Sequence, residues 1–306
     1  MPLFQNHAGI NLTSSKIQLV EIVYKQNGFY LENVDEEIFE TSFEESLNEN
    51  VLITILQNSF NKISSRRKLN SKNVSFTLSN EFFKICELPY DASLIKKDLL
   101  NHFKWELSIL FPQTNKDDLY IQHIEVDKSN IRKQKKAIVF ALSKKLINVL
   151  HNFSVKNRLE LRFVDNAHIA SNAIIVIEGL NSQNETVGSL LLNANNCSIS
   201  ILDGNYPVYF KHTNLSNSLH VDFIKSELTA ISESKKINTI IKKLFLFGDA
   251  VNDNFLEELR SNFSISIIRT NPFTKLLTDE SIQKNNFFRK KNYSFCAAAG
   301  IALRII

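Results

Sequence analysis

Cysteine is scarce in this sequence: Cys86, Cys197 and Cys296 stand far apart and share no metal-ligand spacing. An odd, scattered set gives no disulfide framework and fits a reduced cytoplasmic compartment. No apolar run approaches the roughly 18 residues that cross a bilayer, and the opening MPLFQNHAGI carries neither a charged leader nor an apolar signal core. A soluble chain is expected, with any membrane association made through partners. Neither charge sign dominates: 36 basic against 32 acidic residues leave a net charge of +4. That field is weak beside the clustered basic face of a nucleic-acid binder. The basic runs ISSRRKLNSK, IRKQKKAI and FFRKKNY fall in loops or at element ends, with no repeating aromatic platform, and are solvated surface. The seven histidines show no i, i+4 pairing of the kind a helical metal site uses.

Tryptophan occurs once, at Trp105, and tyrosine seven times, so the aromatic core rests on 23 phenylalanines. Glycine is equally rare, with seven residues at positions 9, 28, 179, 188, 204, 248 and 300. Turns that need a left-handed backbone or a close approach are therefore few and identifiable.

What is present is 43% apolar residues over 306 positions, enough for two modest domains or one large one. KIQLVEIVY and FYLENVDEEIF alternate as a hairpin around Gly28; SLNENVLITILQNSFNKISSR has helical spacing and NVSFTLS is a further strand. An α+β unit follows. It comprises a strand in FFKICELPY, a helix in DASLIKKDLLNHFKWELSIL, strands DLYIQHIEV and KAIVFALS, and the helix KKLINVLHNFSVKN. Asp91 is the expected N-cap of the first of these helices, with Leu94, Leu99, Phe103 and Leu107 on one apolar face. The strand LELRFVDN ends this run, and the helix AHIASNAIIVI, with Asp165 as its expected N-cap, then returns to the first sheet.

From Ser189 the opening pattern recurs in SLLLNANNCSISILDGNYPVYFKH, with a tight turn at Asp203-Gly204. A helix, a strand, a second helix, a second strand and a final helix near SFCAAAGIALRI complete it. The expectation is an α/β fold of two duplicated halves: residues 1–80 with 159–185, an inserted α+β unit at 81–158, and a second half at 186–306.

GINLTSSKIQLVEI, FKWELSILFPQ, FVDNAHIASNAI, RTNPF and CAAAGIALR run in order from Gly9 to Arg304. Together they resemble the actin-like (RNase H-like) superfamily, within it the PilM family of type IV pilus assembly proteins, with FtsA and GspL as relatives. The resemblance implies two hairpins that cradle ATP through backbone N–H groups, acidic side chains that hold magnesium through water, and a glycine-rich turn against the adenosine.

Here that machinery is altered. Gly9, Ser14 and Ser15 persist, but the family's acidic position is Asn11 and its second glycine is Thr13; Lys16 lies two residues before its basic position, now Gln18. In the second hairpin the acidic position is Leu191 and the glycine Asn193. The adenosine turn keeps Gly248 but continues with Asp249. Asp165, Asp203 and Asp249 form no two-metal cluster, since the strand-centre position holds Leu191. The stretch between His212 and Gly248 holds one helix and one strand where the family has a whole subdomain.

These departures imply a non-catalytic scaffold with no cofactor and no metal, the alternative being an ATP-binding ATPase with tolerated substitutions. The resemblance further implies a cytoplasmic protein at the inner membrane that binds the short tail of a PilN-like membrane protein. The groove would lie between the inserted unit and the first half, shaped by Trp105, Phe111 and Pro112, the other reading of Trp105 being a core residue of the inserted unit.

Overall fold

The computed structural model describes residues 6–25, 28–129, 131–180, 185–214, 220–233 and 241–304. The connection just before Gly28 and the segments flanking the helix after His212 lie outside these residues. The chain opens with β1 (His7–Leu12), β2 (Lys16–Lys25) and β3 (Gly28–Ile38), followed by helix α1 (Glu49–Arg66) and β4 (Asn73–Leu78). Asn48 caps α1 by accepting the Asn50 N–H, and Glu49 and Arg66 sit at the ends where the helix dipole favours their charges. Leu52, Leu56, Phe60 and Ile63, spaced by four, four and three, are the face it buries.

The inserted part comprises β5 (Phe83–Pro89), α2 (Lys96–Leu110), β6 (Leu119–Glu125) and β7 (Lys136–Ser143). Its strands form an antiparallel sheet in the order β5-β7-β6. Helix α3 (Lys144–Lys156) follows, and the sequence placed it in this unit. The structure packs it on α1 instead, where the Phe60 and Phe153 rings meet edge to face at 5.4 Å. Next come β8 (Glu160–Asn166) and α4 (Ala167–Ile177), and β8 closes the first sheet in the order β3-β2-β1-β4-β8.

The second half repeats this arrangement with β9 (Thr186–Asn193), β10 (Asn196–Asp203), β11 (Tyr206–Thr213), α5 (His220–Glu233), β12 (Lys243–Phe247), α6 (Asp253–Asn262) and β13 (Ser266–Arg269). Its sheet runs β11-β10-β9-β12-β13, the first sheet's pattern of an antiparallel triplet beside a parallel pair. Between β11 and β12 the described residues form the single helix α5, whose Val221, Ile224 and Ile231 pack on this sheet. Two short helices, α7 (Glu280–Gln283) and α8 (Asn286–Lys290), precede α9 (Cys296–Leu303).

Helix α9 is apolar on every side and every residue of it is buried. It lies against β1 and α4, in a core shared by the two halves. Its backbone comes so close that a Cβ on Gly9 would stand 1.9 Å from the Ala298 carbonyl oxygen, and one on Gly300 1.9 Å from that of Ala170.

Three local expectations are corrected. Asp91 does not cap α2: its carboxylate accepts the Ser93 N–H and hydroxyl, closing a turn, and the helix begins at Lys96. Leu94 accordingly leaves the apolar face and is 37% exposed, while Leu99, Phe103 and Leu107 are buried. The N-cap of α4 is Asn166, whose Oδ1 reaches the His168 and Ile169 N–H groups; Asp165 pairs with Arg304 instead. The β10–β11 turn is centred on Gly204 and Asn205, with Gly204 at φ 58°, so Asp203 remains in the strand opposite Tyr206.

Candidate functional site

The turn between β1 and β2 faces the second half, and its backbone is fully engaged. The Thr13 N–H donates to the Lys16 carbonyl at 3.1 Å. The Thr13 hydroxyl oxygen, present where a glycine would leave nothing, accepts the Ser15 and Lys16 N–H groups, each at 3.2 Å. The remaining Ser14 N–H donates to Glu81 Oε1 at 2.8 Å, and the Ser79 hydroxyl fixes that carboxylate at 2.7 Å. Phe43 and Phe39 N–H groups occupy the Ser14 and Ser15 carbonyls. All four N–H groups from Thr13 to Lys16 thus have partners inside the chain, one of them a carboxylate in an anion's place.

Side chains behind the turn are equally committed. Asn11 donates to Gln18 Oε1 and accepts from the Thr77 hydroxyl, both at 2.9 Å. Gln18 Nε2 reaches Glu36 Oε2 at 2.8 Å and the Ser294 hydroxyl at 3.3 Å. Lys16 Nζ bridges Glu36 Oε2 at 2.8 Å and Asp249 Oδ2 at 3.0 Å, and Asp249 belongs to the other half. Burial alone would lower the Lys16 ammonium, but Asp249 and Glu36 outweigh it and hold its pKa above the ordinary lysine value.

The second hairpin contributes no charge. Leu191 is buried in the core shared by the halves, beside Phe247. Asn193 Nδ2 donates to Asn196 Oδ1 at 3.1 Å across an exposed turn. Gly248 keeps a left-handed backbone at φ 101°, where a Cβ would lie 2.1 Å from the Leu192 carbonyl oxygen. The glycines retained at 9 and 248 are therefore both required by packing. No group of three His, Cys, Asp or Glu side chains able to hold a metal occurs among the described residues.

Sequence reasoning missed a buried polar chain that joins the halves deeper in the molecule. Asn166 donates to Asn80 at 2.8 Å and Asn80 to the Ser198 hydroxyl at 2.8 Å. His168 touches Ser198 Oγ at 2.7 Å and Ser189 Oγ at 2.9 Å, and Ser189 donates to Asn172 at 2.7 Å. Its sequence signal is small: Ser189, Ser198 and Ser200 point a polar stripe inward from otherwise apolar strands.

A groove does lie between the inserted sheet and the first half, on the face of that sheet opposite α2. Phe83, Phe140 and Leu142 floor a cavity of about 190 Å³ between β6, which contributes Tyr120, Gln122 and Ile124, and β8, which contributes Val164 and Asp165. Both are outermost strands of their sheets. Beyond Ile124, Ile169 and Arg304 it continues into a cavity of about 650 Å³ along α4, walled on the far side by Asn205, Tyr206 and Pro207. Trp105, Phe111 and Pro112 line neither cavity. Trp105 is 55% exposed on the outer side of α2, stacked on His102, and Phe111 packs under that helix. The inserted sheet separates them from the groove because α2 covers its other face.

No protein-family model matches the sequence, and no curated protein matches it either. Solved structures do share its fold. The PilM–PilN type IV pilus biogenesis complex superposes with a TM-score of 0.75 at 14% identity, covering 97% of this chain and 98% of that one. A Bacteroides thetaiotaomicron protein with an actin-like ATPase fold and unknown function gives 0.52 at 15% identity, over 88% and 91% of the two chains. The ethanolamine utilization protein EutJ from Carboxydothermus hydrogenoformans gives 0.50 at 10% identity, over 99% and 90%. The fold is α/β and actin-like.

Proposed function

We propose that this chain is a non-catalytic actin-like adaptor of a type IV pilus or related secretion platform. It works on the cytoplasmic side of the inner membrane and is held there by its partner. The observation that carries the loss of nucleotide chemistry is the closed first hairpin. A phosphate entering there would have to displace Glu81 from the Ser14 N–H and the Thr13 hydroxyl from two more, while Glu36 and Asp249 repel it.

The partner site is the groove between β6 and β8. Two strands that are outermost among the described residues, above an apolar floor, suit an extended peptide, which adds main-chain hydrogen bonds and lowers apolar side chains into the floor. The occupant to test is the cytoplasmic tail of a PilN-like membrane protein, because the pilus complex sharing this fold pairs PilM with PilN. No described helix is long and apolar enough to cross a membrane.

A photo-crosslinker at Gln122 in cells tests the reading. The expected product is a crosslink to the cytoplasmic tail of a single-span membrane protein, whose synthetic tail then binds the purified chain; titration with ATP and magnesium should release no binding heat. A micromolar ATP dissociation constant, or a Gln122 crosslinker that traps no such tail, overturns it.

A further inference from the structure

We propose that the Lys16–Asp249 ion pair is a latch that keeps the two halves closed without a nucleotide and fixes the shape of the cavity along α4. The inference rests on the nucleotide-free reading of the cleft, but not on the identity of the partner. Lys16 stands at the start of β2 in the first half, and Asp249 follows β12 in the second, so their 3.0 Å contact is a tie between halves. The ammonium side chain is only 11% exposed and is shared with Glu36, itself 8% exposed and held by Gln18. Asp249 is 31% exposed, so salt weakens the contact in part, though less than it would a fully exposed pair.

Both anchor points are rigid. The turn that carries Lys16 has every backbone N–H engaged. On the other side the Gly248 N–H donates to the Tyr293 carbonyl and the Ala250 N–H to that of Leu192, wedging the Asp249 turn against β9 and the segment before α9. Movement of either half is therefore passed to the ion pair rather than absorbed by a loose loop.

The latch bears on the groove because the larger cavity has walls from three parts of the chain. Ile124 comes from the inserted sheet, Ala173 and Val176 from α4, and Asn205 to Pro207 from the second half. The Tyr206 hydroxyl donates to the Glu125 carbonyl at 2.7 Å, joining two of those walls directly. Rotation of the second half would part them, so one cavity shape goes with one state of the latch.

Hydrogen exchange by mass spectrometry on the full chain, with no peptide present, tests this alongside small-angle scattering. In Asp249→Asn and in Lys16→Met, amides of residues 13–16 and 248–251 should exchange about tenfold faster than wild type. Residues 205–207 should follow, and the radius of gyration should rise. Asp249→Glu should retain wild-type rates, and magnesium ATP should leave wild type unchanged. The proposal is overturned if both variants exchange and scatter as wild type, if only the two turns respond, or if magnesium ATP protects those turns in wild type. A failed search for the tail partner would leave these readings intact, so the two proposals fail separately.

Discussion

His168 Nδ1 lies 2.7 Å from Ser198 Oγ, so a fully buried ring on the first residues of α4 is bonded to the middle of the second sheet. The surrounding donors fix its tautomer. Ser189 gives its proton to Asn172 Oδ1 and must accept from His168, placing the ring proton on Nε2. Nδ1 then accepts from the Ser198 hydroxyl, which itself accepts from Asn80 Nδ2. Every partner is satisfied in this arrangement by a neutral imidazole, and burial disfavours the charged form.

Acid should therefore weaken the fold through this ring. Burial lowers His168 to about 3, and burial with a lesser contribution from Arg162 lowers His7 to about 4, against an ordinary value of 6.5. With folded values depressed, the unfolded chain binds protons that the folded chain refuses. The stabilisation is complete above pH 6.5 and is lost as pH falls toward 3 to 4. At a pH of about 4.5 the loss from His168 is about 2.5 kcal/mol. Urea unfolding from neutral pH down to that point should show it, and His168→Gln should have a flatter pH dependence over the same range.

Gly300→Ala should be among the most damaging single-methyl changes in the chain. The new Cβ would stand 1.9 Å from the Ala170 carbonyl oxygen, a backbone atom of α4 that can move only with its helix. Because both helices are buried between the halves, the expected cost is about 3 kcal/mol, at the upper end for overpacking. Gly179→Ala is the control: only the flexible Lys275 Nζ, 3.5 Å away, faces its Cβ, so its cost comes from its φ of 67° alone and should be about 1 kcal/mol. Thermal unfolding of the two variants decides this; equal shifts would contradict the packing argument.

Glu81→Ala should destabilise the chain by about 1 to 3 kcal/mol by leaving the Ser14 N–H without its acceptor. The Thr13 hydroxyl should still hold the rest of the turn, so exchange should quicken at Ser14 far more than at Ser15 or Lys16. Uniform loss of protection across the turn would mean that Glu81 organises the whole hairpin. Hydrogen exchange resolved by NMR distinguishes the two.

The sheets and their duplication were legible because period-two alternation and polar turns are local signals, and the two halves carry them in the same order. Side-chain pairing was not. Asp249 read as a departure from the adenosine turn and Lys16 as a basic residue out of register, yet each explains the other once the halves meet. Glu81 carried no signal at all, since its value to Ser14 depends on a loop that returns from β4. The glycines at 9, 248 and 300 could be counted, but their reasons lie in backbones distant in sequence. Trp105 drew attention through its rarity, which does not report which face of a sheet a helix covers.

That last difference gives a direct comparison. Trp105→Ala removes an exposed ring that stacks on His102, and should shift the thermal midpoint by no more than a few degrees. It should also leave binding of a tail peptide unchanged, because α2 lies across the inserted sheet from the groove. Val164→Arg puts a long cation among the apolar residues between β6 and β8. Val164 is only partly buried, so the folded chain should tolerate the change while the groove does not. Tail-peptide affinity should fall at least about tenfold, equivalent to about 1.4 kcal/mol. Binding measured by fluorescence anisotropy on both variants separates the two faces: loss in Trp105→Ala with retention in Val164→Arg would move the partner site to the outer side of α2.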